Sequence, residues 1–217
     1  MVRRPPTVEE RHYLPAMGRS WLLPLYDPVT RLAGVSRVHD QLLDRADVQP
    51  GHRVLEIGCG TGSLLLAVAR RQPGVEVIGI DPDPGALRRT RRKADRAGLP
   101  IRVERAFAGE LPFPDGSIDR ILSSFMLHHL DEDEKPRAVR EIRRVLRPGG
   151  QLHLVDFADA PSRHGVGGRL LHRSPRLAGS LPDRILALLR DAGLTDVAEN
   201  GDGSNHFGGY AFYRAVR

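Results

Sequence analysis

Three glycines at alternate positions, Gly58-x-Gly60-x-Gly62, close the apolar run Val54-Leu55-Glu56-Ile57 and lead into a second one, Leu64-Leu65-Leu66-Ala67-Val68-Ala69. The chemistry of such a turn belongs to the backbone. A chain that turns sharply at the end of a buried strand needs residues that tolerate positive φ, and glycine does so without steric cost. Glycine also lets a ligand approach the main chain. The first N–H groups of the next helix then face that ligand, where the helix dipole favours negative charge. Glu56, at the strand end, supplies an acceptor for an ammonium group. A second apolar run, Val75-Glu76-Val77-Ile78-Gly79-Ile80, ends in Asp81. An acidic residue about 20 positions after a glycine turn is placed to meet the hydroxyls of a ribose. Asp81-Pro82-Asp83-Pro84 also reads as a helix start, with Asp83 as the cap and Pro84 in the first turn. Both roles can hold together.

The glycine spacing is not G-x-G-x-x-G, because Ser63 occupies the place of that motif's last glycine. It weighs against a dinucleotide and towards S-adenosylmethionine (SAM), whose methionyl carboxylate suits a helix N-terminus as well as a pyrophosphate does. His128 and His129 follow a further strand-like run, Ile118 to Ser124, at the same edge. They are candidates for a general base, His128 first; packing or orienting the loop is the competing role. His39 and His164 are more distant candidates. Cys59, inside the glycine turn, reads as a small packing residue, because no His–Asp pattern accompanies it. The histidines lack cysteine or carboxylate partners at ligand spacing, so no metal site is expected.

These residues need a doubly wound α/β sheet to hold them. The chain has 217 residues, enough for one such domain with a small addition. Residues 1–47, punctuated by proline, read as an N-terminal helical cap or lid, and residues 48–217 as the main domain. Ile101 to Arg105 is a short strand. Pro114-Asp115-Gly116-Ser117 is a turn signal before the strand from Ile118. Ala138, Val139, Ile142, Val145 and Leu146 trace one buried helix face. Arg147-Pro148-Gly149-Gly150 ends that helix, and Gln151 to Phe157 is the fifth strand. Residues 158–180, rich in glycine, arginine and histidine, read as a substrate-side loop. Leu181 to Ala192 is a helix with Ile185, Leu186, Leu188 and Leu189 inward. Leu194 to Glu199 and Tyr210 to Val216 form a closing antiparallel pair, with Asn200-Gly201-Asp202-Gly203 as a turn after the first of them.

Composition sets further bounds. The net charge is +6, and Lys93 and Lys135 are the only lysines. The densest basic run, Arg88-Arg89-Thr90-Arg91-Arg92-Lys93, falls on an outer helix and reads as a solvated face. No aromatic stripe or nucleic-acid motif accompanies it, which argues against nucleic acid as a partner. No apolar run approaches the roughly 20 residues needed to span a bilayer. The N-terminus carries no apolar signal core, so a cytoplasmic location is expected. With Cys59 as the sole cysteine, no internal disulfide is possible.

With these residues in place, the chain resembles the class I SAM-dependent methyltransferases, particularly the branch of the ubiquinone and menaquinone methyltransferases. The matching residues are Val54 to Gly62, Gly79-Ile80-Asp81, Leu111-Pro112-Phe113, Ser117-Ile118-Asp119, His128-His129-Leu130 and Leu146 to Gly150, in the family order. The resemblance covers about residues 48–157 well and the two ends weakly. It implies a Rossmann-like seven-stranded sheet with its last strand antiparallel and helices on both faces. It implies methyl transfer from SAM to a small-molecule or lipid-like acceptor, with S-adenosylhomocysteine (SAH) as product. Glu56, Gly58, Gly60, Thr61 and Gly62 would surround the methionyl part, Asp81 the ribose hydroxyls, and Pro82, Phe107 and Ala108 the adenine. Ser124 would contact the cofactor, and Tyr26, in a Tyr26-Asp27 pair, would sit near the sulfonium. Many relatives carry Asp or Asn where this chain has Phe107. A phenylalanine cannot hydrogen-bond the adenine amine, so it stacks or packs on the ring, or Glu110 reaches in. Two other classes share part of the pattern. A SAM- or SAH-binding module without catalysis would carry the same cofactor motifs. A nicotinamide oxidoreductase would share the first turn and the acidic residue, but the glycine spacing and the Leu-Pro-Phe and Arg-Pro-Gly-Gly motifs disfavour it.

Overall fold

The computed structural model describes residues 33–158, 182–206 and 208–217. Most of the cap expected over residues 1–47, with Tyr26, and nearly all of the loop 158–180, with His164, lie outside the described residues. Seven strands form one sheet: β1 (Arg53–Ile57), β2 (Glu76–Ile80), β3 (Ile101–Glu104), β4 (Ile118–Ser124), β5 (Leu146–Phe157), β6 (Thr195–Asn205) and β7 (Gly208–Val216). Their spatial order is β3-β2-β1-β4-β5-β7-β6. β1 to β5 run parallel, and β7 is antiparallel to both β5 and β6. The last strand is therefore the reversed one, as the sequence implied. The order turns back between β1 and β4, and the strand ends there open a crevice in which doubly wound sheets bind ligands.

β1 and β2 are buried along four consecutive residues each. They read as unbroken apolar runs because helices cover both faces of the sheet. Right-handed crossovers put α2 (Ser63–Arg71) and α3 (Pro84–Ala97) on one face and α4 (Glu134–Val145) on the other. α1 (Val35–Ala46) joins the α2 side through Val38, Leu42 and Leu43, in one core with Val54, Leu65, Val77, Leu122 and Phe212. The opposite core joins Leu55, Ile78, Ile121, Leu152, Ile142 and, from α5 (Pro182–Asp191), Ile185 and Leu189.

Helix α3 starts as its sequence requires. Asp83 Oδ1 accepts the N–H groups of Gly85 and Ala86 at 2.7 and 3.3 Å, and Pro84 fills the first turn. Three expectations are corrected. Leu146 belongs to β5, not to the helix before it: it pairs with Ile118, and the ladder then shifts register before Arg120 pairs with Gln151. The breakers Arg147 to Gly150 thus lie within a distorted strand. Asn200 to Gly203 is not a turn but part of β6, paired with β7, and register shifts after Thr195 and Glu199 absorb the extra residues. Leu186 and Leu188 are only partly buried, so the inward stripe of α5 is Ile185 and Leu189.

Packing between α2 and β2 is tight at Gly79. A Cβ there would lie 2.4 Å from Leu65 Cδ1 and 2.9 Å from the Cys59 Sγ, both in the core. Cys59 is accordingly a buried packing residue, and burial pushes its thiol pKa up. Gly79→Ala should destabilise the fold by about 1–3 kcal/mol, the range for overpacked cores. A thermal melt tests this: an unchanged midpoint would mean that Leu65 yields freely.

Candidate active site

The ends of β1 and β2 form one hydrogen-bonded unit. The N–H groups of Gly58 and Cys59 both donate to the Ile80 carbonyl at 2.9 Å. Asp81 completes the link: Oδ2 accepts the Gly60 N–H and Oδ1 the Asp83 N–H, each at 2.8 Å. From below, Thr90 Oγ1 on α3 donates to the Gly60 carbonyl at 2.9 Å. Gly62, with φ +76°, has no room for a side chain, because a Cβ would lie 2.3 Å from Thr90 Cγ2. Gly60 differs. It also has a positive φ, of +50°, but a Cβ there would meet nothing within 4 Å. The loop is packed on one side and open on the other. Thr61 is buried within it.

Glu56 lies beneath this loop and is 3% exposed. Its carboxyl takes a hydrogen bond from the Leu65 N–H in the first turn of α2, while Oε2 has no hydrogen-bond partner. Burial, then the nearby Asp81 charge, push its pKa well above the ordinary 4.5. Asp81 is shifted in the same direction, to about 6, by burial against its two backbone hydrogen bonds. A carboxylate offers about four acceptor positions, and Asp81 uses two of them. Two remain for a diol. An orphaned carboxylate oxygen calls for a cation, and an open loop at a helix N-terminus accepts an anion. A zwitterionic amino-acid group joined to a ribose satisfies all three features, so the residues fit SAM.

The residues expected to border adenine lie along and after β3. Asp81 donates its N–H to the Glu104 carbonyl at 3.3 Å, and Arg105 Nε donates to the Pro82 carbonyl at 3.1 Å. Phe107 and Glu110 form an isolated bridge, with the Glu110 N–H on the Phe107 carbonyl at 3.1 Å, and Ala108 is buried within it. On the far side of the crevice, Ser124 Oγ at the end of β4 pairs with His39 Nε2 of α1 at 3.2 Å. Burial, then Lys93, lower the His39 pKa to about 4. His39 is therefore a neutral partner of Ser124 at pH 7.

Phe125 turns the chain out of β4 with a φ of +51°, a conformation that bulky residues rarely adopt. Met126 then packs against Gly58, and a 3₁₀ turn spans Leu127–His129. His128 is buried there. Its Nδ1 lies 2.7 Å from Asp156 Oδ1 at the end of β5, and its backbone N–H donates to Asp156 Oδ2 at 3.0 Å. Burial pushes the Asp156 carboxyl up, but the bonds to His128 and Phe157 outweigh it and hold the group below the ordinary range. A neutral His128 that donates through Nδ1 keeps Nε2 as an acceptor. His129 is exposed and stacks on His128, with ring centroids 4.1 Å apart. Asp156 was missed by the sequence reading, although it ends an apolar run just as Glu56 and Asp81 do. Thr90, inside the arginine run, and Met126 were missed as well. Among the described residues no group of three or more His, Cys, Asp or Glu is placed to hold a metal.

Comparison with known proteins follows the same lines. Residues 54–150 match a family model described as a methyltransferase domain. The chain is 38% identical over 145 residues to a demethylmenaquinone methyltransferase of Thermus thermophilus, covering 65% of each. It is 36% identical over 166 residues to the 27-O-demethylrifamycin SV methyltransferase of Amycolatopsis mediterranei, covering 73% of this chain and 60% of the relative. The chain thus spans less than two thirds of the length of these relatives. Among solved structures, a SAM-dependent methyltransferase from Aquifex aeolicus superposes with a TM-score of 0.67 at 20% identity, over 88% of this chain and 98% of that one. The Haemonchus contortus phosphoethanolamine N-methyltransferase 2 bound to SAM superposes at 0.74 and 15% identity, over 93% and 58%. These superpositions show the shared fold.

Two outcomes follow from the carboxylates. Glu56 titrates above its unfolded value when folded, so its buried charge costs stability at neutral pH, and the cost fades as pH falls through the raised value. Glu56→Gln should therefore raise the melting midpoint of the ligand-free chain at neutral pH. It should also weaken SAM binding about tenfold, the scale of a hydrogen bond to a charged group. A lowered midpoint would show that the charge is compensated. For Asp81, SAH affinity should decline as pH falls below about 6, because the protonated carboxyl loses acceptor capacity. A calorimetric titration series that stays flat across that range would remove Asp81 from the ribose role.

Proposed function

Because this chain belongs to the class I SAM-dependent methyltransferases, we propose that it transfers the SAM methyl group to a small-molecule or lipid-like acceptor. The observation that carries this reading is the pairing of an open-sided glycine loop with two strand-end carboxylates, one of them with an orphaned buried oxygen. Glu56 would hold the ammonium group, the loop from Gly58 to Gly62 the carboxylate, and Asp81 the ribose hydroxyls. Pro82, Phe107 and Ala108 would border the adenine, the last two without the side-chain acceptor common in relatives. Ser124 and Tyr26 would complete the cofactor's surroundings.

When bound, the sulfonium supplies an electrophilic methyl carbon. The chain's own task is to orient an acceptor in line with it and to exclude water. His128 is the base: its Nε2 takes the acceptor's proton while Asp156 holds the imidazole through Nδ1 and balances the charge that forms there. This division of roles resembles other His–carboxylate pairs, in which the carboxylate orients and does not itself become protonated. A small-molecule or lipid-like acceptor is supported by the names of two relatives, a demethylmenaquinone and a 27-O-demethylrifamycin SV methyltransferase. A cytoplasmic location fits the single buried thiol, since disulfide-stapled scaffolds belong to oxidising compartments. No helix among the described residues is long and apolar enough to cross a membrane.

The first test is calorimetric titration with SAM, SAH and NAD, beside Asp81→Ala. Micromolar SAM or SAH binding, weakened about tenfold or more by the substitution, is the expected result at about 1.4 kcal/mol per decade. NAD binding in its place would move the chain to the oxidoreductases. SAM binding with no methylated product across an acceptor screen would favour a binding module.

Once an acceptor is known, His128→Ala should lower kcat by about 10²–10⁴ with SAH affinity unchanged. Asp156→Asn should lower kcat as well. The double variant should be no slower than His128→Ala alone, because the two residues act as one unit. Additive losses would separate Asp156 from the base.

A further inference from the structure

Helix α2 is apolar on more than its sheet-facing side. Leu64, Leu65 and Val68 enter the core beside β1 and β2. The outer stripe, Ser63, Leu66, Ala67 and Arg70, follows the i, i+3, i+4, i+7 pattern. Such a stripe is polar when it faces water. Here its centre is Leu66, itself buried, and the half-buried Ala67, and the stripe floors a cleft of about 490 Å³ between α1 and α3. That volume lies in the range of small-molecule sites. Val35 of α1 and Ala97 of α3 extend the apolar lining.

The rim is cationic. Arg70 and Arg96 are exposed at the mouth, and neither has an ion-pair partner among the described residues. Arg88 and Arg92 continue the row along α3 at four-residue intervals from Arg96, and Asp95 is the only acidic residue on that helix. Asp40, the one carboxylate lining the cleft, is already held by Arg71 at 3.5 Å. Of the basic run read from sequence as a solvated face, Lys93 lines this cleft, beside Arg70 and Arg96 from outside the run. A flat solvated face does not account for that combination of rim and floor, and His39 and Ser63 bring the cleft up to the end of the glycine loop.

We propose that the α1–α2–α3 cleft binds a phosphate-bearing amphiphile, with its head group on Arg70 and Arg96 and its hydrocarbon along Leu66, Ala67, Val35 and Ala97. The arginines match phosphate oxygens bidentately. The floor gains from burying methylene groups, at about 0.8 kcal/mol each. A purely polar anion would leave the floor empty, and a neutral alcohol would leave the arginines without a partner. The phosphate can belong to a lipid in a bilayer or to a free metabolite.

Calorimetric titration of the full chain with octyl phosphate, octanol and glycerol phosphate tests this. Octyl phosphate should bind at least about tenfold more tightly than either fragment. The Arg70→Gln/Arg96→Gln double variant should lose about tenfold of that affinity. Ala67→Phe should block the floor and abolish binding, with melting midpoints confirming that both variants fold. Sedimentation with phosphatidylcholine vesicles, with and without phosphatidylglycerol, separates the sources. Retention on the anionic vesicles, lost in the double variant, assigns a membrane lipid; octyl phosphate binding without retention assigns a free metabolite. Equal affinity for octyl phosphate and octanol, no binding of octyl phosphate, or an unaffected double variant would overturn the site.

Discussion

The carboxylate of Asp81 ties the glycine loop after β1 to the start of α3. It takes one N–H from the loop after β1 and one from the start of α3, at equal distances of 2.8 Å. Everything on the cofactor side hangs on that bridge. It fixes Gly60, whose carbonyl is held from below by Thr90, and so it decides which side of the loop remains open. A side chain so deep in the crevice would be expensive as a bare charge. The two backbone hydrogen bonds offset part of that cost, and the residual upward shift shows that they do not offset all of it. A ligand that donates further hydrogen bonds completes the compensation. Affinity at this position therefore comes from an unsatisfied need built into the ligand-free fold.

A parallel sheet brings the carboxyl ends of its strands to one edge, and here Glu56, Asp81 and Asp156 are among the acidic residues it gathers there. Their environments push them apart. Asp156 has a histidine partner and stays ionised; burial shifts Glu56 and Asp81 towards their neutral forms, with the Asp81 charge adding to the effect on Glu56 and the Asp83 charge to that on Asp81. The difference separates two tasks along one edge. The paired carboxylate fixes the His128 imidazole, proposed as the base, and the frustrated ones are those proposed to meet a cation and a diol. Groups whose environments drive their titration in opposite directions mark distinct chemical roles.

Much of this was legible in the chain itself. β1 and β2 announce themselves because unbroken apolar runs ending in glycine or aspartate fit few other structures. The start of α3 is written locally, in Asp83 and Pro84. Where the reading failed, distant partners decided the outcome. Asn200 to Gly203 has the composition of a turn, yet ten or so residues later β7 supplies a ladder that holds the segment in β6. Leu146 was assigned to a helix face because its spacing fits one, but Ile118 claims it for the sheet. Asp156 carried the same strand-end signal as Glu56. Its meaning depends on His128, 28 residues away, and no local pattern records that contact. Thr90 was hidden by the arginines around it.

The histidine is placed by strain as well as by packing. Phe125 sits in the left-handed region while its N–H still donates to Val155 at 2.9 Å, so the chain leaves the sheet abruptly after one last ladder bond. A regular strand would have carried residues 126–128 onward along β5. The turn instead brings Met126 against Gly58 and His128 over the end of β5, where Asp156 captures both its backbone and its ring. Strain of this kind persists only where surrounding contacts over-determine the conformation. The contacts that do so belong to both halves of the crevice: the Met126–Gly58 packing lies against the glycine loop, and the His128–Asp156 pair at the end of β5. A change in either half must therefore move the same short segment, and under the proposed roles residues 125–128 would link cofactor binding to proton removal.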